Sequence, residues 1–241
     1  MVKQIRINKE NPLTSFHNAI PKSTIAEINK ILDCFFATNV ASNSQIGFVV
    51  AEFIRRDAAF RQLEETICEK ARVLAAIAGQ SQFPLEPFYV LRCSSPTTRA
   101  ESYCRHYDSH LLTLLIPLQL APDRVFNGEL IIYPRARLLV STLSNIMSKI
   151  LHGIQRHLPF SWRKWLTLQE LHRGDCARVP VQVGSVYTFN GFSLLHANLD
   201  VERGQRRTLL IHYYDPGYSL GLSTILPRCR TTRPLPPHSS G

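Results

Sequence analysis

Apolar positions in the first third of the chain recur at helical spacing. Ile28, Ile31, Leu32, Phe35 and Phe36 follow a Thr24-x-x-Glu27 pattern that reads as a capping box, so a helix is expected from there. A short opening strand is expected at residues 2–7. Phe53, Ile54, Phe60, Leu63, Ile67 and Leu74 lend an apolar side to a second, longer helix predicted over about 50–78, with Gly79 as the residue that ends it. From Phe88 the period changes. "FYVLRCSS", "SYCRHYD", "LLTLLIPLQL" and "GELIIYP" are short runs rich in β-branched and aromatic residues, separated by Pro, Asp and Gly signals. A helical interruption is predicted over about 138–171, after which "VPVQV", "GSVYTF" and "RRTLLIHYYD" resume the strand pattern. Helices first and many short strands afterwards point to an α+β chain: a β-barrel or sandwich buttressed by N-terminal helices.

Size and composition narrow the classes. The chain has 241 residues, enough for a large hydrophobic core, and no run of eighteen uncharged apolar residues, which argues against a transmembrane helix. The N-terminus "MVKQIRINKENP" has no signal-peptide apolar region, so a cytoplasmic location is the default expectation. Six cysteines stand without CxxC spacing, which argues against a zinc ribbon or disulfide framework and for reduced, buried thiols. The organisation expected is one domain over 1–222, with a helical insertion at about 136–172. A basic, Pro-rich tail at 223–241 reads as disordered.

The net charge of +10 calls for an anionic partner: nucleic acid, a membrane surface or an anionic small molecule. Part of it is local, since residues 135–173 carry seven Lys/Arg against the single Glu170. The same insertion holds an apolar stripe of Leu139, Leu143, Ile146, Met147, Ile150, Ile154 and Leu158. One reading is a lid helix packed on the barrel mouth. The other is an interfacial element, because Phe160, Trp162 and Trp165 mix with Arg156, Arg163 and Lys164 as at an anionic membrane surface.

The candidate chemistry begins at "HYD". His106 and Asp108, two apart on a predicted strand, leave one face together. His196, after the strand "GSVYTF", is the candidate third ligand. Two histidines and one carboxylate with open positions form the facial triad of non-haem Fe(II) oxygenases. A 2-oxoglutarate co-substrate would chelate that iron and need a fixed cation for its far carboxylate, a task suited to the forked arginine side chain. Arg206, ten residues beyond His196, is the favoured anchor, with Thr208 on its face as a hydroxyl partner. Arg207 falls on the opposite face with Leu209, Ile211 and Tyr213, yet stays open because a one-residue register slip exchanges the faces. His110 is an alternative ligand, and His212 shares the Arg206 face. Tyr89 and Arg92 are candidates to face the pocket, Arg92 for an anionic substrate. His17, His152, His157, His172 and His238 read as surface or capping residues.

In order, "YCRHYD", "LTLLIPL", "NGELIIYP" and "GSVYTFNGFSLLHANLDVERGQRR" resemble the 2-oxoglutarate/Fe(II)-dependent dioxygenases, in particular the prolyl-4-hydroxylase type of core. The resemblance covers residues 89–214 less the helical insertion, and Asn127 departs from that family's common Gly-Gly-Glu turn. It implies a double-stranded β-helix (jelly-roll, cupin-like) core. It also implies His106, Asp108 and His196 as iron ligands, Arg206 as the 2-oxoglutarate anchor and Tyr103 as a further contact to that co-substrate. The expected activity is hydroxylation of an unactivated C–H bond, with O₂ as the second co-substrate. A small or lipid-linked anionic substrate, such as a Kdo or lipid A-type sugar, is one candidate. A free amino acid, peptide or natural-product intermediate is the alternative. Nucleic-acid demethylation is disfavoured, since "TLLIHYYD" carries no further arginine, and a metal-free membrane- or RNA-binding module on the same barrel is the reading from another class.

Overall fold

The computed structural model describes residues 5–6, 13–38, 43–77, 87–99, 101–122, 128–136, 139–140 and 142–213. The tail and Gly79, Asn127, Cys229 and His238 lie outside them. Strand β1 (Ile5–Arg6) pairs antiparallel with β6 (Leu139–Val140). Next come β2 (Leu13–Phe16) and three helices: α1 (Lys22–Thr38), α2 (Asn43–Ile54) and α3 (Ala58–Ile77). Then follow β3 (Phe88–Ser94), β4 (Leu112–Gln119) and β5 (Leu130–Ala136). Helices α4 (Thr142–His157) and α5 (Phe160–Arg173) separate these from β7 (Ala177–Val179), β8 (Val186–Phe189), β9 (Leu194–Asn198) and β10 (Arg206–Tyr213).

Two antiparallel sheets make the barrel. The larger runs β2-β8-β4-β10-β3 and the smaller β7-β5-β9, extended by a bridge between His106 and His196. From β3 onward the chain passes between the sheets, with β3, β4, β8 and β10 in one and the His106 segment, β5, β7 and β9 in the other. That alternation is a double-stranded β-helix, the jelly-roll route by which antiparallel strands close around an interior.

Period-two alternation divides each central strand between two cores. In β4, Leu114, Ile116 and Leu118 pack outward under the helices, while Leu115 packs inward with Leu130, Tyr187 and Phe189. In β10, Leu209, Ile211 and Tyr213 join the helix-side core, whereas Leu210 belongs to the interior. Every residue of β10 is therefore buried, as expected for a strand covered on both faces. Ile28, Leu32, Val50, Ile54 and Phe60 are the helices' contribution to that outer core.

Four local expectations are corrected. Helix α1 starts at Lys22, so Thr24 lies in its first turn and is not its cap. The long second helix is two: α2 stops at Ile54, and Asp57 caps α3 by accepting from the Phe60 N–H at 3.0 Å. The segment "SYCRHYD" is not a strand. Tyr103 takes a left-handed φ of 60°, and pairing is confined to the bridge at His106. Among the described residues no cysteine is in a disulfide, and Cys34 is exposed where a buried one was expected.

The break between α2 and α3 is tied to the barrel. Arg55 donates to both carboxylate oxygens of the buried Glu64 at 2.7 Å each, and to Tyr89 Oη at 2.7 Å, while Tyr213 Oη donates to Glu64. Removing Glu64 would leave a half-buried guanidinium short of its principal partner. Glu64→Ala is expected to lower the unfolding free energy by about 2–4 kcal/mol, read as a drop in urea midpoint. An unchanged midpoint would show that the pair only breaks even.

Candidate metal and co-substrate site

His106, Asp108 and His196 converge at one end of the barrel, with one ligand atom of each lying within 4.8 Å of the others. Backbone pairing sets the distance between the two histidines: His106 N–H donates to His196 O at 2.9 Å and His196 N–H to His106 O at 3.1 Å. Each ring is oriented in the same way. His106 Nδ1 lies 3.0 Å from Cys104 O, and His196 Nδ1 lies 3.0 Å from Leu194 O. A carbonyl only accepts, so both Nδ1 atoms carry the proton and both Nε2 lone pairs are left for a metal. Each Nε2 is 3.6 Å from Asp108 Oδ1.

Charge states agree with that role. Burial pushes the His196 imidazole down to about 4, so the ring is neutral at ordinary pH. Burial opposes ionisation of Asp108, but the surrounding imidazoles of His196, His106 and His212 hold its carboxyl well below the usual range. Two imidazoles and a carboxylate, open toward the cavity, are a donor set that fits Fe(II).

Asp108 is aimed by residues that the motif does not announce. Its N–H donates to Gly191 O at 2.8 Å, and its Oδ2 accepts from Thr113 Oγ1 at 2.7 Å. Thr113 has spent its proton there, so the 3.0 Å contact to His212 Nδ1 has the ring donating. Gly191 makes room: a Cβ there would collide with Asp108 Oδ2 and lie 2.7 Å from Thr113 Oγ1. Gly191→Ala is expected to displace the carboxylate and weaken metal affinity about 10- to 100-fold, measured by titration with a divalent metal. Wild-type affinity in that variant would mean that the aspartate is free to shift.

The cavity beside the triad holds Arg92, Asn198, Arg206 and Thr208, closed below by Leu115, Leu130, Phe189 and Leu210. Arg206 is 2% exposed, and among the described residues its Nε and Nη2 have no hydrogen-bond partner; the Thr208 hydroxyl is likewise unpartnered there. Only a long 3.4 Å contact joins Arg206 Nη1 to Asn198 Oδ1. Burial, with Arg92 nearby, pushes the guanidinium down to about 10, which still leaves it cationic at neutral pH. Gly128, at φ 68°, clears the space: a Cβ there would lie 3.0 Å from Arg206 Cδ.

The other expected residues divide. Arg207 faces α1, bonding Asp33 and donating to Asn29 O at 3.2 Å, so it is not in the cavity. Tyr103 is not in the cavity lining either; its hydroxyl donates to Asp200 and its ring meets Phe160. Tyr89 faces the helices through Arg55, while Arg92 does line the cavity. His110 stacks on His212 at 4.8 Å and is outside the ligand group. His212 lines the cavity as its strand face implied. His152, read as a surface or capping residue, instead sits with its ring centre 5.1 Å from that of His106. Asn198 and Gly191 had a faint signal in "NGF" and "HAN", whereas nothing in spacing marks His152 or Thr113.

No protein-family model and no curated protein sequence matches the chain. Solved structures do overlay on it. A prolyl-4-hydroxylase from Pseudomonas putida is 11% identical over 85% of this chain and 88% of its own, with a TM-score of 0.47. AviO1 from Streptomyces viridochromogenes is 17% identical over 86% and 91%, at 0.46. The non-haem α-ketoglutarate-dependent epimerase SnoN of nogalamycin biosynthesis is 13% identical over 86% and 77%, at 0.44. These overlays are loose, and the fold is assigned from the chain's own strand order and pairing.

Proposed function

We propose that the chain is an Fe(II)- and 2-oxoglutarate-dependent dioxygenase that hydroxylates an unactivated C–H bond. One observation carries the reading: an open His-Asp-His cluster shares its cavity with a buried arginine whose guanidinium is largely unsatisfied. An unpaired buried cation costs several kcal/mol, so a fold that keeps one in a cavity is built for an anionic ligand. A metal-free binding module would need the cavity but not three convergent ligand atoms.

In this reading His106, Asp108 and His196 hold Fe(II), which with O₂ and 2-oxoglutarate supplies the oxidising equivalent for C–H cleavage. Arg206 binds the far carboxylate of 2-oxoglutarate as a charge-assisted fork, with the Thr208 hydroxyl as second donor and Asn198 steadying the guanidinium. Leu115, Leu130, Phe189 and Leu210 exclude water from around that ion pair. Thr113 and His212 keep Asp108 aimed at the metal. Arg92, 28% exposed and, among the described residues, paired with Glu101 at 3.7 Å, supports an anionic substrate group at the cavity mouth. That favours an acidic small molecule or lipid headgroup over a neutral peptide.

The test is succinate formation from 2-oxoglutarate with Fe(II), against a panel of anionic lipids, free amino acids and peptides. Stimulation by an anionic member of the panel is expected. Absence of both succinate and 2-oxoglutarate binding would overturn the proposal.

A further inference from the structure

Both helices of the insertion are mounted with their polar faces inward. In α4, Lys149 Nζ donates to Ser109 Oγ at 2.8 Å, Arg156 pairs with Glu101 at 3.2 Å, and His152 lies over His106. In α5, Arg163 and Thr167 are buried, Arg163 reaching Cys104 Sγ at 2.6 Å, and Glu170 bonds Arg105 and Tyr133. What remains outside is apolar. Ile146, Met147, Ile150, Leu151 and Ile154 repeat along the outer face of α4, with Ile150 49% and Ile154 55% exposed. On α5, Trp162 and Trp165 are 64% and 61% exposed, with Leu166 beside them. A lid with the opposite orientation would bury this stripe against the barrel. Here the lid covers the site and leaves the stripe in solvent, a concentration of exposed large apolar side chains that marks a contact surface.

We infer that this outer face docks on an anionic lipid bilayer. Charge decides between the occupants. Of the six Lys/Arg in residues 141–184, Lys149, Arg156, Arg163 and Lys164 are engaged on the inward side, while Arg173 and Arg178 stand exposed, within a chain of net charge +10. The exposed Arg173 lies three helical turns beyond Trp162, on the same face of α5. A second copy of the chain placed on the face by two-fold symmetry would set like charge against like. Anionic headgroups complement Arg173 and the chain's overall positive charge, while the tryptophan rings and the aliphatic stripe enter the boundary between headgroups and acyl chains. Among the described residues no helix is long and apolar enough to cross a membrane, so contact through α4 and α5 is peripheral. This docking goes beyond the dioxygenase reading and does not depend on it, since the surface contains none of the cavity residues.

The chain's only two tryptophans are Trp162 and Trp165, so intrinsic fluorescence reports on this face alone. The full-length protein, without added iron or 2-oxoglutarate, is titrated with vesicles of phosphatidylcholine or of phosphatidylcholine doped with phosphatidylglycerol. The doped vesicles are expected to shift tryptophan emission to the blue and to sediment with the protein, with brominated acyl chains quenching the emission. Partitioning should fall at least about tenfold when salt is raised well above physiological strength. Ile150→Ser with Ile154→Ser, both at exposed positions and therefore compatible with folding, should weaken partitioning by roughly tenfold or more. Unchanged emission with doped vesicles, or equal partitioning onto neutral ones, overturns the proposal. So does a blue shift that grows with protein concentration alone and tracks a dimer in sedimentation velocity, which would assign the face to a second copy.

Discussion

Alanine at His106, Asp108 or His196 is expected to abolish succinate formation, with a loss of at least about 10³-fold because the three ligands act as one unit. Each ring is held by a single carbonyl and a backbone bridge, and neither the bridge nor the barrel core depends on the imidazoles. The variants should therefore fold, as open catalytic sites contribute less to folding than closed structural ones. The thermal signature is sharper than the kinetic one. A divalent metal should raise the melting temperature of the wild type by mass action and leave that of His196→Ala unmoved. Full activity in His196→Ala, or an equal metal-induced shift in it, would exclude the triad.

Arg206 and Arg207 provide the second large contrast. Arg206→Met removes the cavity's buried cation and should raise the KM for 2-oxoglutarate by at least roughly 30-fold, corresponding to about 2–5 kcal/mol for a desolvated charge pair. In the ligand-free protein the same change relieves an unpaired buried charge, so its melting temperature should stay level or rise. Arg207→Met should do the reverse. It loses Asp33, Asn29 and the stack over the Phe36 ring at 5.5 Å, so stability falls by about 1–2 kcal/mol while KM hardly changes. If Arg207→Met proves the more damaging to KM, the assignment of β10 faces to cavity and helices is wrong.

That assignment was legible before any coordinates. With a strand period of two, residues 206, 208, 210 and 212 share one face, and the observed cavity lining takes all four. The strong apolar runs of β3, β4, β5, β8 and β10 were likewise readable, since β-branched and aromatic runs have few other uses. Where several weak cues compete, reading along the chain fails. The break at Arg55–Asp57 is hidden in a helical pattern that continues across it, and a capping aspartate decides the matter. Around His106 the alternation resembles a strand, but a left-handed turn at Tyr103 leaves only one bridge.

Local chemistry in the sequence determined the ligand types, the faces of the edge-to-core strands and the amphipathic character of α4. These depend on residues a few positions apart, whose relative directions the backbone period sets. Only the tertiary structure decided what lies across from what. Gly191 opposite Asp108, Thr113 linking Asp108 to His212, and His152 over His106 are contacts between elements far apart in the chain, governed by sheet order and loop paths rather than spacing. The same holds for α4. Its sequence contains one apolar and one polar face, and periodicity is blind to which turns inward; the ion pair of Arg156 with Glu101 and the contact of Lys149 with Ser109 settle that the polar one does.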